Sequence, residues 1–387
     1  MLRSRRLDGS VKTITERTDS MQTTAAVLRE TGKPLVVEEV DIDEPRAGEV
    51  LVRMVGVGVC HTDLGVIATA APEQLPVVLG HEGAGVVEAV GEGVTTLAPG
   101  DHVVLSYNSC HNCDLCERGV TVHCRNFVPL NLVGARLDGS SPLGRGGEKI
   151  FGHFFGQSSF ARHAIATVNN TVKVDPDLPL ELLGPLGCGV QTGAGAVLNS
   201  LNPEEGSSIA VFAAGSVGLS AIMAAVAAGC STIIAVDPMA SRRELASRFG
   251  ATHVVDPTDR DPVEAIREVT GGTGARYSVD CIGLPQVVRQ SLECLQSYGV
   301  CATVGFQGLN NEVTIDQGHL LFGRSLVGVI EGDAVPAEFI PRMIELNRAG
   351  RFPFDQLITT FPFDKINEAI EAAHHGEVAK AVLTFDA

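Results

Sequence analysis

The chain is expected to be an α/β protein in which a doubly wound parallel sheet is joined to a mostly-β lobe. Between about 190 and 330, six short apolar runs alternate with helical patterns: "IAVFAA", "IIAVD", "HVVD", "YSVDCIG", "GVCATVG" and "SLVGVIEG". That alternation is the mark of parallel strands joined by crossover helices. From about 21 to 189 the texture changes to β-branched runs parted by Gly and Pro, among them "EVLVRMVGVGV", "AGVVEAV" and "DHVVLS". A polar, Cys-rich excursion at 108–126 interrupts this lobe. The amphipathic helices "PAEFIPRMIELNRAGRF" and "DKINEAIEAAHHGE" close the chain and are expected to return to it. The expected division is therefore 21–189 with 331–387 as one unit and 190–330 as the other. Residues 1–20 are polar and basic and read as a disordered extension, a vector remnant or a mis-set start ahead of Met21.

A chain of 387 residues is long enough for two cores. Lys and Arg total 29 against 46 Asp and Glu, a formal charge of −17. A surface so acidic repels phosphate backbones and anionic lipid, so neither nucleic acid nor membrane is an expected partner. Ten cysteines are too dilute for a disulfide scaffold, and no secretory signal is visible, so a cytoplasmic location is expected. The uncharged stretch from Gly206 to Val236 would catch a hydropathy window. Gly215, Gly218 and Gly229 divide it into a strand, a turn, an Ala-rich helix and a second strand, so the soluble βαβ reading is preferred over a membrane span.

Cys110, Cys113, Cys116 and Cys124 follow C-x2-C-x2-C-x7-C. Four thiolates at such spacing converge on one Zn2+ at about 2.3 Å and leave no open position, which makes the site structural. A ferredoxin run would bring its last cysteine after three residues and follow it with proline; here seven intervene and Arg125 follows.

The βαβ unit carries a phosphate-binding pattern. "SSIAVFA" runs into Ala213-Ala214-Gly215-Ser216-Val217-Gly218, a G-x-G-x-x-G with alanine in the first place. Gly215 lets the backbone approach a pyrophosphate, Gly218 lets helix and strand pack closely, and the helix N-terminus favours the negative charge. Asp237 closes the next strand, where a carboxylate bonds the adenosine ribose and repels a 2′-phosphate; NAD is expected rather than NADP. Arg242 and Arg243 nearby suggest the opposite, but the carboxylate should dominate.

Cys60 opens "CHTDL", His81 and Glu82 sit in "GHEGAGVVEAVGEGV", and Cys188 lies in "GPLGCGVQTGAG". Taken singly, the two thiols read as small buried hydrophobes and His81 as a turn histidine. Together with the four-cysteine lobe and the glycine-rich βαβ, these segments resemble the zinc-containing medium-chain dehydrogenases from Met21 onward. The resemblance implies a GroES-like catalytic domain beside a Rossmann domain, and a catalytic zinc on Cys60, His81 and Cys188 with its fourth position open. It makes Glu82 the acidic residue beside the metal and Asp63 the carboxylate that orients the histidine. Thr62 becomes the hydroxyl that takes the alcohol proton while hydride passes to the nicotinamide. Animal-type relatives have a relay histidine three residues further on, where this chain has Gly65. Thr192 and Val217 are implied at the nicotinamide, Lys380 and His61 at the phosphates. Two zinc ions and NAD per subunit are implied, in a homodimer or homotetramer acting on a small alcohol or aldehyde.

Through "FFGQSSFA" and "GVIEGDAVPAEFIPRMIEL" the resemblance narrows to bacterial aryl- or benzyl-alcohol dehydrogenases. It implies a pocket wall of Ser106, Phe154, Phe155, Phe306 and Ile330, with the small Ser106 leaving room for a flat ring. Benzylic and allylic terpenoid alcohols share the lead. The rival enzyme is a glutathione-dependent formaldehyde dehydrogenase, which needs basic residues at the pocket mouth. A zinc-free quinone-reductase-like protein on the same fold is the other rival, and lacks Cys60, Cys188 and the four-cysteine lobe.

Overall fold

The computed structural model describes residues 21–308 and 310–386. The expected N-terminal extension lies outside the described residues. A six-stranded sheet runs in the order His253–Val255, Thr232–Val236, Ser208–Phe212, Ala275–Asp280, Leu295–Thr303, Ser325–Gly328, and every pairing in it is parallel. These are the six apolar runs of the sequence. Their order is that of a doubly wound sheet whose connections reverse beside Ser208–Phe212, and ligands of such sheets bind at that reversal. Residues 209–212 are all buried, as strands covered on both faces must be. The helix Ser216–Ala227 buries Gly218 to Ala225 against them. Small alanines let this helix lie close, so the long apolar run resolves into strand, helix and strand. Among the described residues no helix is long and apolar enough to cross a membrane.

The remaining strands form two mainly antiparallel sheets. Five strands run Val77–Val78, Met21–Leu28, Val36–Ile42, Leu143–Arg145, Glu148–Ile150. Seven others centre on Glu49–Gly58, which pairs with Gly83–Val90, His163–Thr167 and Lys380–Thr384. The last of these brings the C-terminal strand back to the first part of the chain. One apolar cluster runs from Ala84 and Val104 through Leu186, Val190 and Val197 to Ile209 and Met343. It joins the parallel sheet to the antiparallel lobe, and the functional side chains gather along this seam.

Candidate metal and cofactor site

Each of the separated residues stands at the end of an element. Cys60 follows the strand Glu49–Gly58 and is the N-cap of the helix His61–Thr69. His81 and Glu82 lead into the strand Gly83–Val90, and Cys188 is the N-cap of the helix Gly189–Gly195. Folding brings ligand atoms of Cys60, His81, Glu82 and Cys188 within 4.8 Å of one another. His81 is fully buried. Its Nδ1 lies 3.0 Å from Asp63 Oδ1, and Asp63 is itself fastened by the backbone N–H groups of Gly80 at 3.0 Å and Cys60 at 3.1 Å. A carboxylate on Nδ1 leaves Nε2 as the lone-pair nitrogen, and Nε2 is buried without a hydrogen-bond partner. An orphan acceptor in the interior is costly unless something binds it.

Glu82 is differently placed. Its Oε2 is 2.5 Å from Lys380 Nζ, and its Oε1 accepts from Gly189 N–H at 3.0 Å. With Glu82 so held, the remaining ligand atoms are two sulfurs and one imidazole nitrogen, the set that suits zinc with one position open. Electrostatics agree. The contact with Cys188 holds the Cys60 thiol well below the usual range against the effect of burial, and His81 adds to the effect. The same contact, with burial, pushes Cys188 up. Burial raises Glu82 to about 7 although Lys380 pulls the other way. Phe155 stacks on the His81 ring at 4.5 Å and Phe154 meets it edge-on at 5.6 Å.

The four cysteines of the excursion also lie within 4.8 Å of one another. Cys124 Sγ is 3.4 Å from Cys110 Sγ and accepts backbone N–H groups of Cys110 at 3.4 Å and Asn126 at 3.3 Å. N–H groups aimed at sulfur favour the thiolate; those of Arg125 and Cys116 bring Cys113 down to about 6, whereas burial keeps Cys124 raised despite its two. All ten cysteines are free, so no disulfide competes.

At the sheet reversal, the pattern of residues 213–218 forms a tight turn. Ala213 takes a left-handed conformation, φ 70°, which glycine would adopt without strain. A Cβ on Gly218 would meet Ala213 O at 1.9 Å, whereas one on Gly215 would meet nothing within 4 Å. Gly218 therefore serves packing, and Gly215 faces open space. Ser216 Oγ, in the first turn of the helix, is buried without a partner. Asp237 accepts from Ala214 N–H at 2.7 Å and Met239 N–H at 2.8 Å. Arg243 donates to Asp237 O at 2.7 Å and pairs with Asp256 at 2.8 Å, while Arg242 donates to Gly376 O at 3.1 Å and Val378 O at 2.6 Å.

Comparison with known proteins agrees with both halves of this geometry. Residues 46–176 match the alcohol dehydrogenase GroES-like domain and residues 216–348 the zinc-binding dehydrogenase domain. The chain is 50% identical over 370 residues to geraniol dehydrogenase of Castellaniella defragrans, covering 95% of this chain and 99% of that protein. The chain belongs to the zinc-dependent medium-chain alcohol dehydrogenases. A solved structure of benzyl alcohol dehydrogenase from Acinetobacter calcoaceticus superposes with a TM-score of 0.91 at 43% identity, covering 95% of this chain and all (100%) of that one. S-(hydroxymethyl)glutathione dehydrogenase of Haemophilus influenzae is 36% identical over 371 residues, 95% of this chain and 98% of that protein.

Within this alcohol dehydrogenase, the other expected site residues are not all gathered around Cys60, His81 and Cys188. Thr62 lies in the first turn of its helix with Oγ1 3.8 Å from Cys60 Sγ. His61 is exposed, and Thr192 and Val217 are half-buried. Lys380 is buried, with Nζ held by Glu82 and by Val59 O at 3.0 Å; its ammonium serves that carboxylate. Ser106 is buried too, donating to Gly187 O at 2.6 Å and accepting from Gln191 Nε2 at 2.9 Å. The space beside it is thus shared with Gln191. Phe306 is 70% exposed and Ile330 39%, whereas Phe154 and Phe155 are buried with their ring centroids 5.0 Å apart. Sequence reasoning passed over Glu331, which meets Cys188, and Gln191, which holds Glu331. A carboxylate in the otherwise apolar "SLVGVIEG" was the available signal.

Proposed function

We propose that this alcohol dehydrogenase oxidises a primary alcohol reversibly to its aldehyde with NAD, using one zinc ion held by Cys60, His81 and Cys188 and a second, structural one held by Cys110, Cys113, Cys116 and Cys124. The observation that carries the reading is the buried, partnerless Nε2 of His81 beside two thiols. Zinc bound there supplies the Lewis acidity that makes an alcohol hydroxyl easier to deprotonate. Asp63 holds the imidazole in the tautomer that presents Nε2. Glu82 and Lys380 neutralise one another beneath the site. Thr62 would take the alcohol proton through its hydroxyl; Gly65 has no side chain to pass it on, so a bound cofactor's ribose and water would have to carry the proton out.

NAD rather than NADP is supported by Asp237 and by Arg242 and Arg243, whose hydrogen bonds to the protein leave them poorly disposed to grip a 2′-phosphate. Gly215 and Ser216 would hold the pyrophosphate at the turn that Gly218 packs, with His61 at its edge, and Thr192 and Val217 would contact the nicotinamide. Benzylic or allylic alcohols are supported by the Phe154 and Phe155 rings against His81 and by the geraniol and benzyl alcohol dehydrogenases among its relatives. Ten free thiols suit a reducing, cytoplasmic compartment. The edge strand Ser325–Gly328, with Tyr298, Leu321 and Phe322 exposed nearby, supports a homo-oligomer.

A substrate panel read by NADH absorbance tests the assignment. Benzyl alcohol, cinnamyl alcohol and geraniol should exceed ethanol in kcat/KM, with NADP a poor substitute for NAD. Preference for S-hydroxymethylglutathione over all of them would move the enzyme to the formaldehyde-oxidising class.

A further inference from the structure

Glu331 has no role in the reaction described above, yet its carboxylate reaches a metal-binding thiol. It opens the turn Glu331–Asp333, in which three consecutive residues are left-handed, with φ of 50°, 67° and 47°. Only the middle one is glycine. Two non-glycine residues in that region are strained, and such strain persists where the surroundings over-determine the backbone.

The surroundings do so from two sides. Gly332 is seated on the helix Gly189–Gly195, where a Cβ would meet Gln191 O at 2.3 Å, and its carbonyl accepts from Asn199 at 3.1 Å. Asp333 accepts from Ser200 Oγ at 2.7 Å and lies 3.4 Å from His123. Tyr107 donates its hydroxyl to Ala334 O at 2.6 Å and meets Thr121 Oγ1 at 2.8 Å. Thr121 and His123 belong to the four-cysteine lobe, just before Cys124. The turn is thus clamped between that lobe and the helix that Cys188 opens.

Its consequence is the direction of the Glu331 side chain. The carboxylate is buried, with Oε1 3.4 Å from Cys188 Sγ and Oε2 accepting from Gln191 Nε2 at 3.0 Å. Gln191 is fastened in turn to Ser106 Oγ and Gly187 O, each at 2.9 Å. Cys188 makes no side-chain capping bond to the helix it begins, so nothing in its own element settles where the sulfur points.

We propose that Glu331 is a positioning residue for Cys188: aimed by the left-handed turn and held by Gln191, it keeps the sulfur turned toward Cys60 and His81. The proposal rests on the reading that these three residues hold zinc. Partners behind a ligand commonly change metal affinity by 10–100-fold when removed.

The test counts zinc per chain in the full-length protein and follows its release to a chelator, for the unsubstituted enzyme, Glu331→Ala and Glu331→Gln. The unsubstituted chain should hold two zinc ions. Glu331→Ala should release one of its two about 10–100-fold faster and the other at the unsubstituted rate, which also reports an intact lobe and fold. Glu331→Gln keeps the length, the contact with sulfur and a bond to Gln191, and should release zinc at close to the unsubstituted rate. Unchanged release from Glu331→Ala overturns the proposal. So does equal acceleration of both ions, which marks general destabilisation, or Glu331→Gln behaving like Glu331→Ala, which marks charge rather than position. A single zinc in the unsubstituted chain would instead remove the metal-site reading itself, before any variant is compared.

Discussion

In the proposed mechanism the hydroxyl of Thr62 and the imidazole of His81 divide the work at the candidate centre. His81 is immobilised from three directions: Asp63 on Nδ1, Phe155 on its face and Phe154 on its edge. Such enclosure means the ring need not be ordered when the metal binds, so less of the binding free energy is lost to side-chain entropy. Thr62 sits in a helical turn beside Cys60 with no side chain at Gly65 to share its proton traffic. Thr62→Val keeps the volume and removes the hydroxyl. We expect kcat to fall by about 10²–10⁴-fold, the range of a lost proton-transfer group, with the zinc content unchanged. Undiminished turnover in this variant would take the proton acceptor away from Thr62.

At the scale of elements, the strand–turn–helix from Ser208 to Ala227 shows how a departure from a pattern is absorbed. Alanine stands where the first glycine of the phosphate-binding turn belongs, and Ala213 accepts a left-handed backbone because the next strand and helix leave no alternative. Its N–H donates to Val236 O at 2.8 Å, and its carbonyl faces Gly218 too closely for any Cβ there. Ala213→Gly should relieve strain of about 1 kcal/mol or slightly more, part of it offset by the greater freedom of glycine in the unfolded chain. A melting temperature higher by about 2 °C is the expected readout. A lower one would mean that the Ala213 methyl makes packing contacts worth more than the strain.

The whole molecule is held by long-range closures. Lys380–Thr384 pairs with Glu49–Gly58 across most of the chain, and one apolar cluster continues from the antiparallel lobe into the parallel sheet. Such an interior also buries groups that function does not need charged. Burial lowers the His153 pKa from 6.5 to about 4, and its Nδ1 has no partner. Between those pH values the unfolded chain binds a proton that the folded chain refuses. The stability contributed by neutral His153 is therefore present above pH 6.5 and lost as pH falls toward about 4, by up to about 3 kcal/mol. Denaturant titrations at pH 7 and pH 4.5 should show a smaller acid loss for His153→Gln than for the unsubstituted chain. Equal losses would assign the acid sensitivity to other groups.

Legibility in the sequence followed the distance over which each feature is built. Cys110, Cys113, Cys116 and Cys124 declared a closed metal site because their spacing nearly dictates their geometry. The six strands declared themselves because burial on both faces writes near-continuous apolar runs, and Asp237 followed from the end of the second one. Cys60, His81 and Cys188 carried no local signature and were found only through resemblance to a family. Glu331 was missed even so, since its role depends on a left-handed turn that no periodicity announces.

What the amino-acid order determined alone was therefore local: the βαβ turn, the four-cysteine loop and the acidic surface that disfavours polyanions. Tertiary structure decided which distant side chains meet. It brought His81 Nε2 against two sulfurs, committed Lys380 to Glu82 and turned Glu331 inward onto Cys188. The physical reason is that spacing along a chain constrains only neighbours, whereas contacts between remote segments are selected by burial of the whole core.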